Sequence, residues 1–302
     1  MKKVLIADKL SDSALEELRS IKDFHVEVKT GLKENELVPI IQEFDAIVVR
    51  SATKVTKNVL NSAKNLKIAV RAGIGLDNID VETAKNKGIA VANTPEATSI
   101  SVAELTIGLM LALVRKICIA DSTMKEHKWE KKILEGEELY GKTAGIIGFG
   151  RIGKEVAKRE IAFGMKVLAH DIIKQETDLL VSQVSREELL KNSDFISVHL
   201  PLTESTKDIL SYKEFEIMKN GVYLINVSRG GVVNEKALFD ALNSGKVSGV
   251  ALDVFSVEPP EDFSLIDHPN VIATPHIGAS AKEGQERAGM EVIKILKEFF
   301  KV

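Results

Sequence analysis

The 302-residue sequence has little cysteine and no strong excess of either charge. Its one cysteine, Cys118, cannot form a disulfide within the chain, which fits a reducing compartment, and we expect a cytoplasmic location. Lys and Arg number 41 against 44 Asp and Glu, giving a net charge of −3. General nucleic-acid binding requires a clustered basic excess, so we expect no nucleic-acid partner.

Long apolar runs are also missing. The apolar stretch Val4 to Ala7 ends at Asp8 and is too short for the core of a signal peptide. The most apolar long segment, 102–120, contains Glu104 and two basic residues, so we interpret it as a buried helix and expect no membrane partner. We find no low-complexity tract or short-period repeat, and we predict no metal site.

What the sequence does contain is a glycine-rich junction between a predicted strand and a predicted helix. The apolar run 144–147 is followed by Gly148, Gly150 and Gly153, and a second strand ends at Asp171, 18 residues beyond the last glycine (171 − 153). Glycines at this spacing also occur in ordinary turns, but the order of strand, glycines, helix, strand and acid is typical of dinucleotide binding. A carboxylate at the ribose repels a 2′-phosphate, so we predict NAD rather than NADP.

Strands alternate with helices along the whole chain, which predicts an α/β fold with two parallel-sheet domains. We expect a Rossmann NAD-binding domain at 96–276, inserted in a flavodoxin-like substrate-binding domain made of 1–95 and 277–302. A long helix at 101–125 should be buried on more than one side. Ligands of parallel sheets bind beyond the carboxyl ends of the strands. In the first domain these ends carry Arg50, Ser51, Arg71 and the turn Gly73–Gly75.

Three polar residues follow predicted strands of the second domain: Arg229, Glu258 and His276. Alone, they could be a solvated arginine, a turn residue and a buried histidine. Together they meet the needs of 2-hydroxy acid chemistry. Arginine matches a carboxylate, histidine exchanges a proton near neutral pH, and a carboxylate beside the imidazole stabilises its charged form.

Four motifs carry a resemblance to a known family. They are GFGRIG with Asp171, NVSRGGVVNEKAL around Arg229, ALDVFSVEPP around Asp253 and Glu258, and TPHIGAS around His276. With these motifs the chain resembles the D-isomer-specific 2-hydroxyacid dehydrogenases over essentially its whole length. Within that family, VRSATKVT, RAGIGLDNID, NTPEATSISVAE and MKEHKWEKK are most similar to the phosphoglycerate dehydrogenases.

The resemblance implies residue roles and an assembly. Arg229, Glu258 and His276 would be catalytic. It further implies a homodimer built through the 101–125 helix region. The implied substrate contacts are Arg50, Ser51, Arg71, Gly73, Asn93 and, towards a neighbour's phosphate, Lys131. The implied cofactor contacts are Ile74, Gly148, Gly150, Arg151, Ile152, Gly153, Asp171, Leu200, Val227, Ser228, Asp253, Gly278 and Ala279.

The expected reaction is NAD-dependent oxidation of 3-phospho-D-glycerate to 3-phosphohydroxypyruvate, the first step of serine biosynthesis. Arg50 and Arg71 favour this small phosphorylated hydroxy acid, because two cations suit a dianion. One alternative is a glyoxylate or hydroxypyruvate reductase, or another D-2-hydroxyacid dehydrogenase. A more remote one is an NAD-sensing binding protein like the corepressors of this fold.

The chain ends at Val302 without the serine-sensing domain of many phosphoglycerate dehydrogenases, so we expect no feedback by that route. His170 stands where many relatives have an aromatic residue, which affects the expected adenine packing only.

Overall fold

The computed structural model describes all residues from 1 to 302, and they form two compact units. The first unit comprises Met1–Ser99 and Ala279–Val302, and the second comprises Ile100–Gly278. Every strand pairing in both units is parallel, so the predicted α/β fold with two parallel sheets is confirmed. None of the helices combines the length and the apolar character needed to cross a membrane.

The first unit has a five-stranded sheet in the order β2-β1-β3-β4-β5, which is the flavodoxin-like arrangement. The central strand Ala46–Val49 is buried throughout, because helices cover both faces of the sheet. Its strands are β1 Lys2–Ile6, β2 Phe24–Val28, β3 Ala46–Val49, β4 Ile68–Arg71 and β5 Ala90–Asn93. Its helices are α1 Asp12–Ser20, α2 Glu34–Ile40, α3 Lys57–Ser62, α4 Val81–Asn86 and, from the end of the chain, α11 Lys282–Phe300.

Helix α11 completes the first unit. Its buried Val292, Ile293 and Leu296 belong to the same apolar cluster as β1 and α1. Each such side chain contributes about 1.5–3 kcal/mol when it is fully buried. Gly289 lets α11 approach α1 closely, because a Cβ there would overlap Ala14. The two ends of the chain are therefore parts of one core.

The second unit has a seven-stranded sheet in the order β12-β11-β10-β9-β6-β7-β8. Its first strand, β6, lies inside the sheet, and the strand order reverses there, as in dinucleotide-binding folds. Its strands are β6 Thr143–Ile147, β7 Lys166–His170, β8 Val181–Gln183, β9 Phe195–Val198, β10 Val222–Asn226, β11 Val247–Leu252 and β12 Val271–Ala273. Its helices are α5 Ser99–Val114, whose first residue belongs to the first unit, α6 Ile117–Lys125, α7 Arg151–Ala162, α8 Arg186–Asn192, α9 Tyr212–Ile217 and α10 Glu235–Asn243.

The expected single helix over 101–125 is interrupted. It forms α5 and α6, with Lys116 between them in the left-handed conformation at φ 53°. A later loop explains the break, because the Glu137 amide donates to the Val114 carbonyl at 3.1 Å and Gly136 lies directly against that carbonyl. The Val114 carbonyl is therefore bonded to a loop 23 residues further on (137 − 114), instead of to a continuing helix.

Helix α7 contains a buried acid without a partner. Its inward face presents Gly153, Val156, Ala157 and Glu160, and the Glu160 side chain is fully buried. Neither carboxylate oxygen of Glu160 has a hydrogen-bond partner. Burial raises the pKa of Glu160 to about 8, so the side chain is mainly protonated at neutral pH.

Glu160→Leu should stabilise the protein, and the gain should depend on pH. The folded state keeps the Glu160 proton up to about pH 8, whereas the unfolded chain loses it near pH 4.5. The wild type should therefore lose stability as pH rises between these values, by at most about 5 kcal/mol. Melting temperatures from pH 5 to 9 should show this slope in the wild type and in the exposed control Glu216→Leu, but not in Glu160→Leu. Parallel curves for all three proteins would contradict the assignment.

Candidate functional site

The glycine turn after β6 forms a cradle for a phosphate-bearing ligand. Gly148 has φ +93°, a conformation that favours glycine, and a Cβ there would collide with the His199 carbonyl. A Cβ at Gly153 would overlap the Gly148 carbonyl, so helix and turn need this glycine to pack. Nothing lies within 4 Å of a Cβ built at Gly150, where the turn is open and α7 begins. The open helix N-terminus suits the pyrophosphate of a dinucleotide.

Asp171 lies immediately after β7, beside this turn. Its Oδ2 accepts a hydrogen bond of 2.8 Å from the Phe149 amide, which fixes the carboxylate at the turn. Its Oδ1 has only a 3.4 Å contact with the Ile173 amide, so this oxygen is well placed to accept from a ribose hydroxyl. The preceding His170 places its Nδ1 3.1 Å from the Val184 carbonyl, just beyond β8. The turn and the acid therefore fit NAD.

Glu258 and His276 form a hydrogen-bonded pair. Glu258 Oε2 lies 2.7 Å from His276 Nδ1, and the side chains are 38% and 41% exposed, so a ligand can reach them. The hydrogen bond to Glu258 raises the pKa of His276 above its usual value, against the effect of burial. Burial of Glu258 opposes its ionisation, but hydrogen bonds from His276 and the Phe255 amide outweigh it, and its pKa is lowered. The pair therefore favours imidazolium beside carboxylate.

The loop that carries His276 is held by Asp253, the residue after β11. This fully buried carboxylate accepts hydrogen bonds from the Thr274 hydroxyl at 2.6 Å, the Ile277 amide at 2.8 Å and the Gly278 amide at 2.7 Å. His276 itself has a left-handed backbone at φ 53°, which a non-glycine residue adopts only with support. Asp253 is thus an anchor of the loop, and its direct contact with the cofactor stays a prediction.

Arg229 follows β10 on a turn shaped by Asn226. The Asn226 side chain accepts from the Ser228 amide at 3.0 Å and hydroxyl at 2.7 Å, and it donates to the Arg229 carbonyl at 3.0 Å. The Arg229 charge lowers the pKa values of both Glu258 and His276, so it acts on the pair electrostatically. A guanidinium, an imidazolium and its carboxylate can together hold an acid substrate and transfer a proton. The sequence motif contained Asn226, but nothing in it indicated this role.

In the first unit, the predicted substrate residues also gather at carboxyl ends of neighbouring strands. The Arg50 Nη1 donates to the Lys9 carbonyl at 3.2 Å, and Arg71 ends β4 with its Nη1 3.2 Å from Asp77 Oδ2. Asn93 ends β5 and donates to the Ile74 carbonyl. Ser51, Gly73 and Ile74 follow the ends of β3 and β4, and Ala279 begins the returning segment of this unit.

The remaining predicted residues lie in the second unit. Arg151 and Ile152 open α7, Leu200 follows β9, Val227 and Ser228 follow β10, and Gly278 lies against Asp253. Lys131 is exposed and starts a single helical turn, Lys131–Ile133. Their roles, and those of the residues above, stay predictions.

Comparisons with known proteins agree with this geometry. Residues 107–278 match the model of the D-isomer specific 2-hydroxyacid dehydrogenase NAD binding domain. A hydroxypyruvate reductase of Thermotoga maritima is 53% identical over 300 residues, covering 98% of each chain. A D-3-phosphoglycerate dehydrogenase of Methanocaldococcus jannaschii is 47% identical over 99% of this chain, which spans 57% of that protein.

A solved structure extends the likeness to the fold. The D-lactate dehydrogenase of Aquifex aeolicus, complexed with NAD and lactic acid, superimposes with a TM-score of 0.85 at 34% identity, covering 99% of this chain and 95% of that one. Cofactor and reaction class follow from the family, and the fold and the family match confirm the prediction of NAD. The chain belongs to the D-isomer-specific 2-hydroxyacid dehydrogenase family and contains the NAD-binding domain of that family.

Proposed function

We propose that this enzyme reduces hydroxypyruvate, or a similarly small 2-oxo acid such as glyoxylate, to the corresponding 2-hydroxy acid. The observation that carries the proposal is the Glu258–His276 hydrogen bond of 2.7 Å, which raises the pKa of His276 and favours the protonated ring. A protonated imidazole is a proton donor, which is what reduction of a carbonyl requires. The 53% identity with a hydroxypyruvate reductase supports the same direction and substrate.

The proposed roles follow from the contacts. Arg229 binds the substrate carboxylate through its planar guanidinium. His276 donates the proton from Nε2 to the carbonyl oxygen, because its Nδ1 is engaged by Glu258. The reduced dinucleotide, when bound, would supply the hydride for C2, and with the proton from His276 the C=O group would become CH–OH. Glu258 keeps the ring oriented and stabilises its charged form. Gly148, Gly150, Gly153 and Asp171 would hold the dinucleotide.

A small unphosphorylated substrate is supported by the surroundings of the first unit's arginines. Arg71 lies 3.2 Å from the Asp77 carboxylate, and its side chain is only 11% exposed. A carboxylate at this distance offsets part of the charge that would attract a phosphate. The other predicted substrate residues, Arg50, Ser51, Gly73 and Asn93, do not discriminate between a phosphorylated and an unphosphorylated substrate.

A second candidate is the oxidation of 3-phospho-D-glycerate with NAD, the entry to serine biosynthesis. It is supported by the 47% identity with the phosphoglycerate dehydrogenase of M. jannaschii and by the presence of two arginines at adjacent strand ends. In that case Arg50 and Arg71 would bind the phosphate, with Lys131 of a neighbouring copy. The remaining alternative, an NAD-sensing binding protein, would be favoured only if the purified chain turned over no 2-oxo or 2-hydroxy acid.

We propose further that the enzyme is a homodimer that uses the region from α5 to the following loop. Ile117, Ile119 and Met124 on α6 and Trp129 beyond it expose apolar surface, which a second copy would cover. Light scattering should give twice the mass of one chain. Ile117→Asp combined with Met124→Asp should give the single mass, whereas Leu180→Asp, at an exposed site outside this region, should not. A monomeric wild type would overturn the proposal.

Replacing His276 with Ala should lower kcat for hydroxypyruvate reduction about 10²–10⁴-fold, the usual contribution of one acid–base group. In the wild type, kcat/KM for reduction should fall as pH rises through the pKa of His276, which is raised above 6.5, because the proton donor is lost. The variant should lack this fall. His25→Ala, an exposed histidine of the first unit, is the control. Near-normal turnover of His276→Ala would remove this residue from its role.

Substrate preference should separate the two candidates. We expect kcat/KM for hydroxypyruvate to exceed that for 3-phosphohydroxypyruvate, because Asp77 repels the phosphate. Asp77→Asn should raise kcat/KM for 3-phosphohydroxypyruvate and leave kcat/KM for hydroxypyruvate nearly unchanged. Arg19→Ala, an exposed arginine of the same unit, controls for loss of positive charge. A wild type that prefers the phosphorylated acid, and loses that preference in Arg71→Ala, would favour the second candidate.

A further inference from the structure

Glu235, the first residue of α10, contacts a segment that precedes the catalytic pair. Its Oε1 accepts two hydrogen bonds from one residue, Ser256, at 2.6 Å from the amide and at 2.8 Å from the hydroxyl. A carboxylate accepts two donors well, and its charge is favoured at a helix N-terminus. Asn234 caps the same helix through the Ala237 amide at 2.9 Å, so Glu235 is not needed as the cap.

Residues 255–256, which Glu235 holds, contact both the backbone after Arg229 and the carboxylate of Glu258. A Cβ on Gly230 would overlap the Phe255 carbonyl, so the backbone after Arg229 lies directly against residues 255–256. The Phe255 amide donates to Glu258 Oε1 at 3.1 Å, while Oε2 of the same carboxylate meets His276. The contacts therefore run from Glu235 through Ser256 and the neighbouring Phe255 to Glu258.

We propose that Glu235 is a positioning residue for the proton transfer: it fixes the 255–256 backbone, so that Glu258 meets His276 beside Arg229. This inference rests on the proposed function for its kinetic consequences. Glu235 forms no hydrogen bond with Glu258 or His276, and it acts through Ser256. The charged groups that face His276 are Glu258, Asp253 and Arg229, and Glu235 influences only how the first of them is held.

The alternative is a purely structural role, in which Glu235 only stabilises α10 as an acidic residue in its first turn. Glu187, an exposed acid in the first turn of α8, provides the matched control. Three variants separate the two roles: Glu235→Ala, Glu235→Gln, which keeps an acceptor oxygen, and Glu187→Ala. For each we would measure the melting temperature, the kinetics of hydroxypyruvate reduction, and the pKa of His276 by NMR titration of its ring in the protein without substrate.

Glu235→Ala should lower kcat about tenfold, as expected for a misplaced catalytic group, and change KM for NADH less than about twofold. The measured pKa of His276 should fall towards its ordinary value, because Glu258 is held less well. Glu235→Gln should recover most of both losses, and Glu187→Ala should show neither. If Glu235→Ala does not fold, Ser256→Ala, which removes one of the two hydrogen bonds, should give smaller shifts in the same directions.

An unchanged kcat and an unchanged His276 pKa in Glu235→Ala, with a loss in melting temperature equal to that of Glu187→Ala, would overturn the positioning role. If Ser256→Ala has to replace Glu235→Ala in this test, an unaltered pKa of His276 in Ser256→Ala would also overturn the positioning role. The NMR titration does not require turnover. A wild type without activity on any 2-oxo acid would therefore overturn the proposed function, while a lowered His276 pKa in Glu235→Ala would still support the positioning role.

Discussion

The buried carboxylate of Asp253 is the constraint on which the candidate site depends. It receives three hydrogen bonds, from the Thr274 hydroxyl and from the Ile277 and Gly278 amides, all at 2.6–2.8 Å. A buried charge is tolerable only when donors replace the water it has lost, and here all the donors belong to one loop. That loop holds His276 in a left-handed conformation that it would not keep alone. The position in which His276 pairs with Glu258 therefore depends on Asp253.

The parallel sheet determines which residues can meet. The carboxyl ends of β10, β11 and β12 are neighbours, so Arg229, Asp253 and His276 share one edge although they are up to 47 residues apart in sequence (276 − 229). The glycine turn after β6 and Asp171 after β7 lie further along the same edge. The strand order alone therefore brings the predicted cofactor residues and the proton-transfer residues to one edge of the sheet.

Much of this could be predicted from the sequence, because its signals are local. Apolar runs located most strands, and polar residues at their ends located Arg229 and His276. The break at Lys116 could not be predicted, since it depends on Glu137 from a later loop. Strand β8 has only three residues and helix α9 only six, too short for a periodic pattern. The contact of Glu235 with Ser256 spans 21 residues and follows from the fold alone.

The second unit contains two buried carboxylates with opposite consequences. Asp253 has three donors and organises a loop, whereas Glu160 has none, and it costs the folded state stability at pH values where the unfolded chain would ionise it. Their positions explain why both can persist. Asp253 follows a strand at the edge that binds ligands, while Glu160 lies ten residues into α7 from Gly150, about 15 Å along the helix. A change in the charge of Glu160 should therefore affect the stability of the unit without reaching the residues that transfer the proton.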